Sequence, residues 1–333
     1  MAGVKDGYFP GDYFLGVDAG NSKTIALVAR SDGHILGWGR GGGGDIYVSE
    51  TGALRAVDDA VGGALGRAGL EPSHLTASCL SLVGADWPED FAFWERAAAA
   101  RGYGQVQVVN DAVGALRAGT AGDGVVVVCG TGVAVGARRG DRVWHSSFWQ
   151  EPVGGLELSE RVLRVVLRTE LGLGPTTCLT AKVLAYFGCA DVEAVLHHLT
   201  ACSVQAAGRR NSLSRLLLDA AAEGDAVALG EVAQAGVTLG DYAGVAAVKV
   251  GLGDAPFPLV LAGGVLCHPS LVLHNAIVAR VQAKLPHAQP QVARFEPVVG
   301  ALLLALEAAP GQVQPTIYER LATELPQADF FAT

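Results

Sequence analysis

Between two apolar runs, Tyr13 to Val17 and Ile25 to Arg30, the chain carries Asp18-Ala19-Gly20-Asn21-Ser22-Lys23-Thr24. Gly20 lets the backbone turn sharply and approach a ligand closely. Successive N–H groups can then face one concavity, to which Asn21, Ser22 and Thr24 add side-chain donors. Such a concavity suits a phosphate, and Lys23 brings positive charge to it. Asp18, at the end of the strand, is placed to hold Mg²⁺ through water, because that ion prefers hard oxygen ligands and keeps part of its hydration shell. The same string also reads as an ordinary polar hairpin in which Asp18 bonds its own turn.

Two further glycine turns have similar surroundings. Gly130-Thr131-Gly132 sits between the apolar runs Val125 to Cys129 and Val133 to Arg138, where backbone N–H groups and the Thr131 hydroxyl can grip a phosphate. A plain β-hairpin is the competing reading. Leu261-Ala262-Gly263-Gly264-Val265 follows a strand and precedes a helix, and its bare backbone lets a flat base or ribose lie against it.

These turns need a scaffold of strands and helices. The opening strands 13–17, 25–30 and 35–39 form a meander. A helix over 51–68 follows, with Leu54, Val57, Val61 and Leu65 on one face. A strand at 75–82, a helix at 90–100, a strand at 106–109 and a helix from Ala112 complete a βα alternation that argues for a wound sheet. From Val125 the chain repeats this opening theme. A mainly helical stretch then runs from about 156 to 249, followed by a strand at 259–262, a helix at 269–285, a short strand near 292–295 and helices at 299–307 and 316–325.

At 333 residues the chain exceeds the roughly 250–300 residues at which a single core stops growing, so two domains are expected. Half the residues are hydrophobic and 17% are charged, which excludes general disorder. The net charge of −9, from 33 acidic against 24 basic residues with no Lys/Arg stripe, excludes nucleic-acid binding as the main role. Cys79, Cys129, Cys178, Cys189, Cys202 and Cys267 are scattered without metal-ligand spacing and suit a reducing cytosol. The N-terminus lacks the apolar core of a signal peptide, and no apolar run approaches the roughly 18 residues that span a bilayer. A cytoplasmic protein without membrane contact is expected, and a homodimer is the base-rate oligomer.

A first hairpin with Asp-x-Gly and hydroxyls, a later Gly-Thr-Gly hairpin and a late Ala-Gly-Gly turn, in that order, resemble the actin/hexokinase/chaperone ATPase superfamily over about residues 13–308. VNDAVGAL (109–116) and FEPVVGALLLAL (295–306) narrow the resemblance to the N-acetylglucosamine kinase and BadF/BadG/BcrA/BcrD-type ATPase group.

The resemblance implies an α/β fold of two ribonuclease H-like (actin-like) domains, each a mixed sheet flanked by helices, with an interdomain cleft. Placed on this chain, the first domain covers 12–118, with a helix at about 312–330 packing back on it. The second covers 119–311 and carries a helical insertion at about 156–250. The implied cofactors are ATP and Mg²⁺, and the implied acceptor is a sugar or amino sugar. Gly20 to Thr24 and Gly130 to Gly132 would take the phosphates, Gly263 and Gly264 the adenosine, and Asp18 the metal.

Asp111 matches the family's general base, which accepts the proton of an acceptor hydroxyl as the γ-phosphoryl group transfers. A helix N-cap is its alternative reading. Asn110 beside it is a candidate hydrogen-bond partner of the acceptor. Asp45, ending the glycine run 41–44, lies where relatives keep a sugar loop, although a solvated linker fits equally. The Gly-Asp-Glu-Gly-Ser stretch usual in the sugar kinases is replaced here by Gln150-Glu151-Pro152-Val153-Gly154-Gly155-Leu156-Glu157. Glu151 and Glu157 are the available carboxylates, and Glu157 also reads as a first-turn helix charge. This departure leaves the acceptor open among N-acetylglucosamine, glucosamine, another hexose and none. The rival class is an ATPase that activates a redox partner, which would need thiolate ligands for an iron–sulfur cluster. A nucleotide-binding protein without kinase activity is a further alternative.

Overall fold

A computed structural model describes residues 12–200, 212–308 and 313–331; Cys202 lies outside these ranges. The chain divides into two units, Met1–Ala118 with Phe295–Thr333, and Gly119–Arg294. The second domain expected from the sequence ran on to residue 311. The division falls earlier, at 294, because the helix after it belongs to the first unit's core.

The sheet of the first unit has the order β3-β2-β1-β4-β5, built from β1 (Tyr13–Ala19), β2 (Thr24–Arg30), β3 (Ile35–Gly41), β4 (Leu75–Leu82) and β5 (Gln105–Asn110). β1 pairs antiparallel with β2 and parallel with β4. The meander therefore lies on one side of β1 and the parallel crossovers on the other. α1 (Glu50–Ala68) covers β3, and the strand's sequence explains how. A Cβ at Gly37, Gly39 or Gly41 would fall 1.9–2.1 Å from the carbonyl oxygens of Ala64, Ala60 and Ala56. Alternate glycines on one face of the strand meet alanines four apart on the helix, so the two backbones touch. Ser49 caps this helix by accepting the Gly52 N–H, and Gly69 closes it in the left-handed region. α2 (Pro88–Arg101) and α3 (Asp111–Gly119) complete the crossovers.

The sheet's other face is covered by α10 (Pro297–Glu307), in which every residue from Val298 to Leu306 is buried. A helix apolar all round belongs in a core rather than on a surface. Its backbone meets β1 at Gly16, where a Cβ would stand 2.3 Å from the Leu302 nitrogen. It meets α3 at Gly300, where a Cβ would stand 1.9 Å from the Gly114 oxygen. The glycines of the VNDAVGAL and FEPVVGALLLAL strings thus mark one helix crossing. α11 (Pro315–Glu324) packs Ile317 and Leu321 into the same core.

The second unit repeats the plan. β6 (Gly124–Cys129), β7 (Val133–Arg139), β8 (Arg142–His145), β9 (Phe257–Ala262) and β10 (Ala288–Val292) form a sheet ordered β10-β9-β6-β7-β8. Read from β8, each strand has the place and direction of its counterpart in the first sheet. Around it stand α4 (Gly155–Glu170), α5 (Leu179–Phe187), α6 (Val192–Thr200), α7 (Ser214–Ala222), the long α8 (Ala226–Val250) and α9 (Val272–Gln282). Among the described residues no helix is long and apolar enough to cross a membrane.

Candidate active site

In the first unit the functional candidates gather at the carboxyl ends of β1, β4 and β5. The turn after β1 closes with the Gly20 N–H donating to the Lys23 carbonyl (2.9 Å). The glycine run after β3 is stitched onto it: Gly44 N–H donates to the Gly20 carbonyl (2.9 Å) and Thr24 Oγ1 to the Gly42 carbonyl (2.9 Å). A Cβ at Gly43 would lie 2.3 Å from the Asn21 oxygen. Loop 41–45 and turn 20–24 are thereby one surface, with Asn21 and Ser22 exposed and Thr24 buried.

Asp45 accepts the Tyr47 N–H (2.8 Å) and so shapes its own turn. Tyr47 donates its hydroxyl to Asp90 (2.8 Å), the carboxylate that also accepts the N–H groups of Asp86 and Trp87 at the head of α2. Asp86, not singled out from the sequence, stands beside this network and accepts from Asn110 Nδ2 (2.9 Å). Asn110 Oδ1 accepts the Ala112 N–H (3.1 Å). The Asn110 side chain therefore ties the end of β5 to the start of α3, and the next carboxylate, Asp111, heads the helix.

The electrostatics follow from this crowding. Burial first, then the Asp86 carboxylate and Asp45, push the Asp111 carboxyl up to about 7, against the pull of the backbone N–H groups at 111 and 112. The Asp18 carboxyl is likewise pushed up to about 7, by burial, then Asp111, then Glu296, with Lys23 opposing. Both groups sit where a small change of surroundings switches them between acid and anion.

Among the described residues no three His, Cys, Asp or Glu side chains are gathered to hold a metal by themselves. The carboxylate set fits Mg²⁺ of the kind held through one or two carboxylates plus substrate phosphates and water. Asp18 is desolvated and faces further negative charge, so a dication relieves the repulsion that raises it. Lys23 donates its ammonium to the Phe331 carbonyl, and burial lowers its pKa.

In the second unit three segments converge on the end of β6. The turn Gly130-Thr131-Gly132 closes with the Gly130 N–H donating to the Gly132 carbonyl (3.0 Å). The head of α4 lies against it, as Gly155 N–H donates to the Gly130 carbonyl (2.8 Å) and Leu156 N–H to the Thr131 carbonyl (3.2 Å). A Cβ at Gly154 would sit 2.7 Å from Gly132. The 263–264 turn joins from the other side: Val265 N–H donates to the Cys129 carbonyl (3.0 Å), and Gly263, at φ +93°, comes so close that a Cβ would be 2.5 Å from the same oxygen. By contrast, a Cβ at Gly130 or Gly264 meets no described protein atom within 4 Å. Packing does not require those two glycines, and they leave backbone open.

Glu157 is half-buried in the first turn of α4, close enough to Cys129 that, after burial, its charge helps push the thiol up to about 12. Glu151 is exposed, and its N–H donates to the Tyr242 hydroxyl (3.0 Å). Glycines 154 and 155 bring the head of α4 onto the Gly-Thr-Gly turn.

Among known proteins, an N-acetylmuramic acid/N-acetylglucosamine kinase of Clostridium acetobutylicum is 27% identical over 223 residues, 65% of this chain and 72% of that protein. A Chromobacterium violaceum structure designated a candidate N-acetylglucosamine kinase superposes with a TM-score of 0.66 at 22% identity, covering 88% of this chain and 99% of that one. A ROK family glucokinase from Streptomyces griseus, in complex with glucose and AMPPNP, gives a TM-score of 0.58 at 19% identity over 89% and 99% of the two chains. These likenesses establish the actin-like, two-sheet fold of the sugar kinases. The model of the BadF/BadG/BcrA/BcrD ATPase family matches residues 15–305, and this chain belongs to that family.

Proposed function

We propose that the protein is an ATP-dependent carbohydrate kinase whose acceptor is an amino sugar of the N-acetylglucosamine or glucosamine class. The observation that carries this reading is the state of Asp111. Its neighbour Asn110 ties down the head of the helix, and its own carboxyl, pushed up to about 7, matches what a general base for a sugar hydroxyl needs near neutral pH. Asp111 takes the acceptor proton as the γ-phosphoryl group leaves ATP, with Asn110, Asp45, Glu151 and Glu157 as candidate contacts to the acceptor.

The turns 20–24 and 130–132 would bind phosphate oxygens through backbone N–H groups, and Gly264 would leave room for the adenosine in a turn that Gly263 holds against the end of β6. Asp18 would hold Mg²⁺, which would neutralise charge on the phosphates. The name of the Clostridium acetobutylicum relative supports the amino-sugar class.

The test is ADP release measured with a panel of N-acetylglucosamine, glucosamine, N-acetylmuramic acid, glucose and no acceptor. Amino-sugar-dependent release is expected. Equal release with and without acceptor would turn the reading toward an ATPase that serves a protein partner.

A further inference from the structure

The C-terminal turn of the chain reaches back to the first glycine turn. After α11, the residues Ala328–Phe331 form a short 3₁₀ turn. The Phe331 ring is buried in the first unit's core, against which Phe330, Trp38 and Leu325 pack, and the Phe330 and Phe331 rings meet edge to face at 5.2 Å. This anchorage presents two consecutive main-chain carbonyls to two cations. Arg40 Nη1 donates to the Phe330 carbonyl (2.9 Å), and Lys23 Nζ donates to the Phe331 carbonyl. The two cations come from neighbouring strand ends, since Thr24 pairs with Gly41 and Ile25 with Arg40. The approach of the segment is held by further pairs: Glu324 accepts from the Ile35 N–H (3.0 Å) and lies 2.6 Å from His34, and Arg320 lies 2.6 Å from Asp32.

Lys23 is the basic residue of turn 20–24, and it feels the charges of Asp18 and Glu296 as well as that of Arg40. A lysine stem is flexible and loses considerable rotamer entropy when its head is fixed. Here a carbonyl from the far end of the chain does the fixing. We propose that the C-terminal turn Ala328–Phe331 is a positioning element of the nucleotide site, holding the Lys23 ammonium beside Asp18 and keeping turn 20–24 in the shape that receives a phosphate and its Mg²⁺.

The inference rests on the reading of turn 20–24 as a phosphate site. Phe331 and Arg40 touch no reacting atom in this account, and their effect passes through Lys23. The turn therefore acts on nucleotide and metal, while Asn110 and Asp111 at the end of β5 are held separately, through the bonds of Asn110 to Asp86 and the Ala112 N–H.

The experiment compares the full chain, the chain ending at Gln327, Lys23→Met, and Lys23→Met ending at Gln327. Calorimetric titration with MgADP and MgATP gives the affinities, and steady-state assays give the Mg²⁺ concentration for half-maximal rate and the acceptor KM. Truncation is expected to weaken nucleotide binding about 5- to 30-fold and to raise the Mg²⁺ requirement, with acceptor KM changed less than about twofold. In the Lys23→Met background the truncation should add less than about twofold, because the contact it removes is already gone. A general loss of packing would instead move acceptor KM as well and add equally in both backgrounds, and that outcome overturns the inference.

If melting shows the truncated chain unfolded, Arg40→Met decides, since it releases the Phe330 carbonyl while leaving the buried ring. A two- to fivefold weakening of nucleotide binding is expected there, and unchanged binding overturns the inference. Unchanged or tighter binding in a folded truncated chain overturns it too, with the phosphate reading intact. A full-length chain that binds no nucleotide overturns both.

Discussion

At the scale of single residues, Asp111 carries two opposed consequences of one environment. Its carboxyl is pushed up to about 7 by burial and by Asp86. As a base it works only when ionised, so the acceptor-dependent rate should climb across pH 6 to 8 with an apparent pKa near 7, a limb absent in Asp111→Asn. That variant should lose at least about 10²-fold in kcat while binding MgATP within about threefold of the parent. The effect on stability has the other sign. Between about pH 4 and 7 the native carboxyl keeps a proton that the unfolded chain has already lost, so the ligand-free protein loses stability as pH rises through that window. Asp111→Asn should therefore melt higher than the parent at pH 8, by about 1–3 kcal/mol, with the gain shrinking toward pH 4. An unchanged melting temperature at both pH values would count against the crowded carboxylate. Gly130 gives a second test. A Cβ there meets no described protein atom within 4 Å, so Gly130→Val should leave the melting temperature within about 2 °C, roughly the effect of a surface substitution. Nucleotide affinity should nevertheless fall at least about tenfold. Normal affinity would mean that this glycine faces nothing that binds.

At the scale of elements, the closest approaches are between backbones. Gly300 lies so near the Gly114 oxygen that an added Cβ would stand 1.9 Å from it. Gly300→Ala must push α10 off α3, which should cost about 2–4 kcal/mol in denaturant unfolding. The same shift should also lower kcat, since α3 begins at Asp111. A variant as stable as the parent would refute the crossing.

This crossing also explains what was legible in the sequence. The strands around the three glycine turns were readable because buried strands make continuous apolar runs broken by glycine and polar residues. The glycines of VNDAVGAL and FEPVVGALLLAL, the strings that carry the resemblance, are where two helices touch. Leu54, Val57, Val61 and Leu65 do pack into the core as their periodicity expects, but the register of α1 on β3 was not legible, because it is set by the backbone of Ala56, Ala60 and Ala64 against alternate glycines. Apolar periodicity finds a face, and small residues set the distance. β8 (Arg142–His145) is not legible in the sequence, because four residues with Arg and His among them show no hydrophobic alternation. Asp86 escaped because its importance lies in reaching Asn110 from another strand end, a proximity that spacing in the chain does not encode.

At the scale of the whole molecule, the two units are built from the chain differently. The second is one continuous segment, Gly119–Arg294, with a core of its own around Val127, Leu158, Leu239 and Leu261. The first is discontinuous, and its sheet depends on α10, whose buried residues arrive from beyond the second unit. The segment 119–294 should therefore fold alone and unfold in a single cooperative transition. A segment 12–118 should not, because without α10 the face of β1 at Gly16 and the apolar side of α3 stay uncovered. Adding the 295–333 segment in trans or through a short linker should restore its folding. The turn 130–132, the head of α4 and the 263–264 turn are all held together by hydrogen bonds inside the second unit. The isolated 119–294 segment should then retain measurable affinity for ADP, weaker than the full chain's, and transfer no phosphoryl group to any acceptor, since Asp111 is absent. Circular dichroism melts and titration with ADP check both statements. A cooperatively folded segment without ADP affinity would move the nucleotide's recognition to turn 20–24 and its neighbours, whereas a segment that fails to fold would show that its core relies on the other unit.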